Sequence, residues 1–226
     1  MPADYFWEYS SREEYIVQKW IHEFFDPQWI DCQYIPNNTS FHDCKIQFEY
    51  GWTNYEFVVQ IKEEEAYWYD KTWNLWFDFL SAFTYKSDAV KEYVLENSYW
   101  IPSKHIEWFV KRWLNVGKFG KLITCDADIH IFYVEEDNTH ETKFIHAYNN
   151  YTLQSEEYIN YIISNYRLRV NKKSDYNLAD NWESAAFFIK PSDRMIKNAE
   201  INHVRDLISI SQNREEMKSH KSHLFW

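Results

Sequence analysis

Two neighbouring segments in the first third of the chain carry side chains suited to holding a metal ion. Asp43 precedes the segment CKIQFEY, and the segment YEFVVQIK ends in Gln60, Ile61 and Lys62. The intervening residues GWTN predict a turn, so the two segments are expected to form a β-hairpin. Side chains alternate between the faces of a strand, which puts Gln60 and Lys62 on one face. An acid on one strand and a (D/E/Q)-x-K pair on the next are a common arrangement in metal-dependent phosphodiesterase sites.

Each candidate residue is assigned the role in phosphodiester hydrolysis that suits its chemistry. Asp43 is the first metal ligand, and the Gln60 side-chain oxygen and the Ile61 backbone carbonyl are further oxygen ligands for Mg²⁺ or Mn²⁺. Lys62 would orient the attacking water and stabilise charge that develops on the phosphate. Glu13, near the start of a predicted helix, is a candidate outer ligand. A capping or solvated carboxylate is the simpler interpretation of Glu13.

Hydrophobic periodicity predicts a mixed α/β domain around this hairpin. Apolar residues at helical spacing indicate a helix over 11–25, and loop-forming residues follow at 26–42. A helix over 103–116 is expected to end at Gly117. For the aromatic segment before residue 86, the sequence does not decide between a helix and a strand. The other predicted elements are helices over 87–97 and 156–166 and strands over 127–135, 141–148 and 184–189.

Length and composition narrow the class of protein. The 226 residues suit one α/β domain over 1–190, followed by a polar, partly helical extension over 191–226. With only 3 glycines and no glycine-rich phosphate loop, the common nucleotide-binding folds are disfavoured. Three cysteines without a C-x-x-C pair favour a reducing compartment, so a cytoplasmic location is expected. Neither a signal peptide nor a membrane span is predicted.

The net charge of −11 is the main argument against a nucleic-acid partner. Proteins that bind through many phosphate contacts are usually basic, at least locally. A metal ion would add positive charge, and basic residues are concentrated in two stretches, at 104–121 and at 167–173. The charge therefore weighs against a DNA partner without excluding one.

The order of these residues resembles the PD-(D/E)xK nuclease superfamily, the restriction-endonuclease-like fold, in a Q-x-K form. Asp43 and the Gln-x-Lys pair carry the match, after a helix that contains Glu13. Residues 72–78 and 117–128 resemble two downstream segments of some members, T-G-N-x-x-x-E and G-x-x-S-G-I…T-x-A-D-y. The resemblance implies a central mixed sheet flanked by helices, Mg²⁺-dependent cleavage of DNA and often a homodimer. Within those downstream segments, structural hydrogen bonding is expected more than catalysis for Asn74, Asp78, Thr124 and Asp128.

Two other functions fit the same sequence. Gln60 replaces the usual acid, and His42 stands where the superfamily motif has proline. Together with the acidic charge, these departures suggest a nuclease fold that has lost catalysis and serves as a binding module for nucleic acid or protein. An unrelated aromatic-rich α/β domain that binds a small ligand is the third hypothesis, and it requires Asp43 to lie away from Lys62.

Overall fold

Two five-stranded sheets organise the chain, one in each of two structural units. The computed structural model describes residues 12–36, 43–65, 74–101, 106–136, 141–171 and 183–220. Of these, the first unit holds the residues up to 65, those from 125 to 152 and those from 194 to 219. The second unit holds the remainder. Because the chain passes between the units several times, neither unit is one continuous stretch of sequence.

Ten strands are present within the described residues. They are β1 (Cys32–Pro36), β2 (Cys44–Tyr50), β3 (Thr53–Glu65), β4 (Leu75–Tyr85), β5 (Trp100–Ile101), β6 (Leu114–Phe119), β7 (Ile129–Glu135), β8 (Thr142–Asn149), β9 (Leu168–Asn171) and β10 (Glu183–Ile189).

Eight α-helices are present in the same ranges, together with a short 3-10 turn at Asp26–Gln28. The helices are α1 (Arg12–Phe24), α2 (Asp88–Glu96), α3 (Ile106–Trp113), α4 (Lys121–Thr124), α5 (Asn150–Leu153), α6 (Glu156–Asn165), α7 (Arg194–Ala199) and α8 (Val204–Ser219).

The sheet of the first unit is mixed, with strand order β1-β2-β3-β7-β8. Strands β1, β2 and β3 form an antiparallel meander, whereas β7 runs parallel to β3 and antiparallel to β8. In the β2–β3 register Cys44 lies opposite Val59, so Asp43 comes next to Gln60. The predicted α/β class is confirmed, and the predicted hairpin forms where the alternation of its apolar residues places it.

The turn of this hairpin is tight and left-handed. Gly51 has a φ of 58° and Trp52 a φ of 64°. Glycine adopts this conformation at no steric cost, but a bulky side chain does not. Trp52 adopts this conformation although its side chain is 97% exposed. Behind the turn, the side chains on one face of the hairpin are buried: Ile46, Phe48, Phe57 and Val59.

Helices α1 and α8 pack on that apolar face and complete the core of the first unit. Helix α8 contributes Val204, Leu207 and Ile210, all of them buried. The C-terminal region contains the two helices α7 and α8, and residues 194–219 belong to the first unit. Whether residues 1–190 fold as one domain stays a prediction. Helix α1 buries Tyr15, Ile16, Val17, Trp20 and Ile21 in this core.

The sheet of the second unit is antiparallel, with strand order β5-β9-β10-β4-β6. The backbone of β4 receives a hydrogen bond of 2.8 Å from the Gly120 amide to the Phe79 carbonyl. A side chain at Gly120 would collide with the carbonyl oxygen of Asp78. Glycine at this position is therefore required by the close approach of two backbones.

Two sequence predictions are corrected by strand pairing. The helix predicted over 103–116 ends at Trp113, because the next residues pair with β4 as β6 and take Gly117 into that strand. The loop predicted over 26–42 contains β1, which pairs with β2 along its whole length. Residues 37–42 of that loop, including His42, lie outside the described residues.

Candidate functional site

Asp43, Gln60 and Ile61 meet at the point where β2 begins beside β3. The Asp43 amide donates to the Val59 carbonyl at 3.1 Å, which fixes the backbone of Asp43 on the edge of the hairpin. Its carboxylate oxygen Oδ2 accepts a hydrogen bond from the Ile61 amide at 2.6 Å. The same oxygen accepts a second hydrogen bond from Nε2 of Gln60. The predicted meeting of these three residues is therefore present in the structure.

The Gln60 side chain lies between the other two groups. It is 2% exposed, and its Nε2 also donates to the Ile61 carbonyl oxygen at 3.2 Å. Its Oε1 lies 4.0 Å from Sγ of Cys125, whose thiol donates. The nitrogen and oxygen of an amide exchange places by a half-turn of the side chain's last bond. In that orientation the Gln60 oxygen would join the Asp43 carboxylate and the Ile61 carbonyl.

This donor set fits a hard divalent cation. One carboxylate, one amide oxygen and one backbone carbonyl are all oxygen ligands, which Mg²⁺ and Mn²⁺ prefer over nitrogen or sulfur. In the described ranges no three His, Cys, Asp or Glu side chains group in a way that could hold a metal. The site would therefore rely on a single charged ligand, and a site of this charge binds Mg²⁺ weakly.

Lys62 lies two residues beyond Gln60 on β3, on the same face of the sheet. The parallel register sets Gln60 beside His130 and Lys62 beside Phe132 on β7. Lys62 is half-buried. Strand geometry thus places a cation on the side of the sheet that carries the Gln60 amide.

Glu13 is exposed in the first turn of α1. Burial raises the pKa of the Cys44 thiol to about 12, and the charges of Asp43 and Glu13 add to that rise. Glu13 therefore acts electrostatically on the residue next to Asp43. The role of Glu13 as an outer ligand stays a prediction.

An ion-pair cluster that the sequence analysis missed fixes the first turn of α1. Nε of Arg12 donates to Glu63 at 3.1 Å, and its Nη2 bonds the buried Glu135 at the end of β7. The guanidinium also lies over the rings of Tyr15 and Tyr133, at 5.0 and 5.3 Å from their centroids. Burial lowers the pKa of Arg12, but hydrogen bonds to Glu63 and Glu135 outweigh this and raise it. We see no local sequence signal for these contacts between distant residues.

Asp128 has a structural role at the start of β7. Its Oδ2 accepts from the Val58 amide at 2.8 Å, and its Oδ1 accepts from the Tyr151 hydroxyl at 2.6 Å. Nη2 of Arg214 donates to Oδ2 at 3.1 Å. Burial and the bond to Asp128 raise the pKa of Tyr151 above its ordinary value. The prediction that Asp128 makes structural hydrogen bonds is confirmed.

The other downstream residues are spread over the second unit. The Thr124 hydroxyl donates to the Gly120 carbonyl at 3.1 Å, which is the structural bond expected of it. Asn74 lies just before β4, and Asp78 lies within that strand. Thr72, which opens the first resembling segment, lies outside the described residues.

Comparison with known proteins gives no family assignment. No protein-family model, curated protein or solved structure matches this chain. Among the helices of the described residues, none has the length and apolar character needed to cross a membrane.

Proposed function

We propose that the protein is a metal-dependent endonuclease-like enzyme that hydrolyses phosphodiester bonds in DNA. The observation that carries the proposal is the convergence of the Asp43 carboxylate, the Ile61 carbonyl and the Gln60 amide at one end of the hairpin. Lys62 follows on the same face of β3. An acid, an amide and an ammonium in this order supply the parts that phosphodiester hydrolysis requires.

The residues divide the work between holding the cation and handling charge on the substrate. Bound Mg²⁺ or Mn²⁺ would supply Lewis-acid polarisation of the phosphate and a more acidic water. Asp43, the Ile61 carbonyl and the turned Gln60 amide would hold it. Lys62 would donate hydrogen bonds to the attacking water and to the phosphate oxygens, where negative charge increases in the transition state. Glu13, on α1, would limit the positions that the attacking water can occupy.

Cleavage assays with matched variants test the proposal. Purified protein is incubated with plasmid and with short single-stranded DNA, in Mg²⁺, in Mn²⁺ and in excess EDTA. Replacing Asp43 or Lys62 by alanine should lower the cleavage rate by roughly a hundredfold or more, as loss of a transition-state contact does. Lys218→Ala removes an exposed ammonium from α8 and should cleave like the wild type. Cleavage by the wild type in excess EDTA, or unchanged cleavage by Lys62→Ala, would contradict the proposal.

A nuclease fold that binds without cleaving is the second candidate, and one observation favours it. Oδ2 of Asp43 already accepts two hydrogen bonds from the protein, so the carboxylate is satisfied without a cation. Calorimetric titration with Mn²⁺ separates the two functions. Heat of binding that disappears in Asp43→Ala supports the enzyme, whereas no binding together with a stable macromolecular partner supports the binding module.

The same proposal implies a substrate, an assembly and a cellular location. DNA is the proposed substrate, and a homodimer is the proposed assembly, which sedimentation velocity would establish. The cytoplasm is the proposed location, since all three cysteines are buried free thiols and suit a reducing compartment.

A further inference from the structure

The second unit contains a cavity that none of the proposed catalytic residues touches. Its volume is about 370 Å³. Helices α2 and α3 provide most of its wall, and Ser87, the residue before α2, also lines it. The aromatic part of the lining consists of Tyr93, Trp108, Phe109 and Trp113.

The size and the lining of the cavity favour a ligand that contains a flat, apolar ring system. Small-molecule sites in proteins typically measure about 300–1,000 Å³ and are lined mainly by apolar and aromatic side chains. Trp108 is 54% exposed although it lines the cavity, and Tyr93 is also exposed. Large aromatic side chains left open at the mouth of a cavity offer stacking surface to a ligand.

Cations beside the cavity add a requirement for negative charge. The Arg112 guanidinium lies over the rings of Trp108 and Trp113, at 5.8 and 5.3 Å from their centroids. Lys86 precedes Ser87, and its Nζ donates a hydrogen bond of 2.9 Å to the Lys111 carbonyl in the last turn of α3. Asp88 is the acid nearest in sequence to this pair of cations. Glu107 of α3 pairs with Lys111 at 2.7 Å, so Arg112 and Lys86 are left to offer positive charge near the cavity in a protein whose net charge is −11.

An aromatic ring joined to an anionic group satisfies both requirements. We propose that the cavity binds one unpaired nucleotide of single-stranded DNA, with the base stacked on the aromatic lining and the phosphate facing Arg112 and Lys86. Stacking of bases on aromatic side chains beside basic residues is the general mode by which proteins hold single strands. This inference rests on the proposed function for the identity of the polymer and adds that the substrate has an unpaired base.

Fluorescence anisotropy tests the inference separately from cleavage. The probe is a fluorescein-labelled thymidine oligonucleotide of about 12 nucleotides, which fits the usual site size for single strands. The full chain is titrated in EDTA, so no cleavage takes place. Trp108→Ala should weaken binding by roughly ten- to a hundredfold, and Trp108→Phe should restore most of it. Trp52→Ala is the matched control, because Trp52 is exposed but lies in the first unit.

The charge requirement has its own measurement. Arg112→Gln should weaken binding and reduce the slope of log affinity against log salt by about 0.7, the value for one phosphate contact on a single strand. Competition with unlabelled thymidine monophosphate, single strand and duplex identifies the source, and the single strand should compete best. Equal affinity of Trp108→Ala and the wild type, or no binding by the wild type, overturns the inference. Intact binding without cleavage in Mg²⁺ or Mn²⁺ overturns only the proposed catalysis.

Discussion

The orientation of the Gln60 amide decides what the hairpin site holds. With Nε2 toward Asp43, the amide acts as the donor that satisfies the carboxylate. With Oε1 in that place, three oxygens face one point and require a cation to offset their mutual repulsion. A neutral amide allows both states, whereas a carboxylate at this position would allow only the second.

Replacing Gln60 by glutamate should therefore make the stability of the protein depend on a divalent cation. The new carboxylate would be buried beside Asp43, and an uncompensated buried charge costs roughly 3–5 kcal/mol of the free energy of unfolding. In EDTA we expect Gln60→Glu to be less stable than the wild type by about this amount. Mg²⁺ or Mn²⁺ should restore most of the loss. Urea denaturation with and without the cation measures both effects.

Gln33→Glu provides the control for this comparison. Gln33 is an exposed residue of β1, so the same chemical change there should alter stability little in either buffer. If the two variants lose equal stability, and neither recovers with the cation, the arrangement of oxygen ligands at the hairpin site is wrong.

The central part of this site could be predicted because its causes are local. Turn residues and a period of two place Asp43 beside Gln60 within twenty residues of chain. The position of Glu13 depends on how α1 packs against the sheet. The helical period shows which face of α1 is buried but not where the helix lies on the sheet. The Arg12 contacts join residues 51 and 123 positions apart, and no local pattern encodes them.

At the scale of helices and strands, Arg12 holds α1 on the sheet through ion pairs with two acids that differ in burial. The side chain of Glu135 is 6% exposed, whereas that of Glu63 is 44% exposed, and Arg12 bonds both. A buried carboxylate that loses its partner is costly, but an exposed one is solvated by water. The two acids should therefore contribute very differently to holding the helix.

Two variants separate these contributions. Arg12→Gln removes the guanidinium that bonds the buried Glu135 and should lower the free energy of unfolding by roughly 3–5 kcal/mol. Glu63→Gln removes only the exposed contact and should cost less than about 1 kcal/mol. Chemical denaturation monitored by circular dichroism measures both. Equal effects of the two changes would show that the buried pair does not hold α1.

Strand pairing explains why some elements were missed while others were predicted. Helices α1, α2 and α6 follow their own apolar period and were predicted within about two residues. Residues 114–116 have a helical pattern, but their backbone groups pair with β4, and this tertiary contact overrides local preference. Strand β1 is short and ends in Pro36, so its sequence has the features of a loop.

Across both units, buried and half-buried tyrosines link the stability of the protein to alkaline pH. Burial, as the largest cause, raises the pKa of Tyr133 and Tyr151 in the first unit and of Tyr85 in the second. These hydroxyls keep their protons in the folded state at a pH where the unfolded chain has lost them. Below a pH of about 10, the ordinary tyrosine value, both states are protonated and the contribution to stability is complete.

Stability should therefore fall as the pH rises above about 10, because the folded state then binds more protons than the unfolded state. Each such tyrosine adds a slope of about −1.4 kcal/mol per pH unit until the pH reaches its folded pKa. Tyr151→Phe removes one of these protons and the bond to Asp128, so it should be less stable at neutral pH but have a shallower alkaline slope. Urea denaturation at a series of pH values separates the slope from the constant loss. Parallel curves for Tyr151→Phe and the wild type would show that Tyr151 ionises without unfolding, and hence that its hydroxyl is not held in the protonated form by the fold.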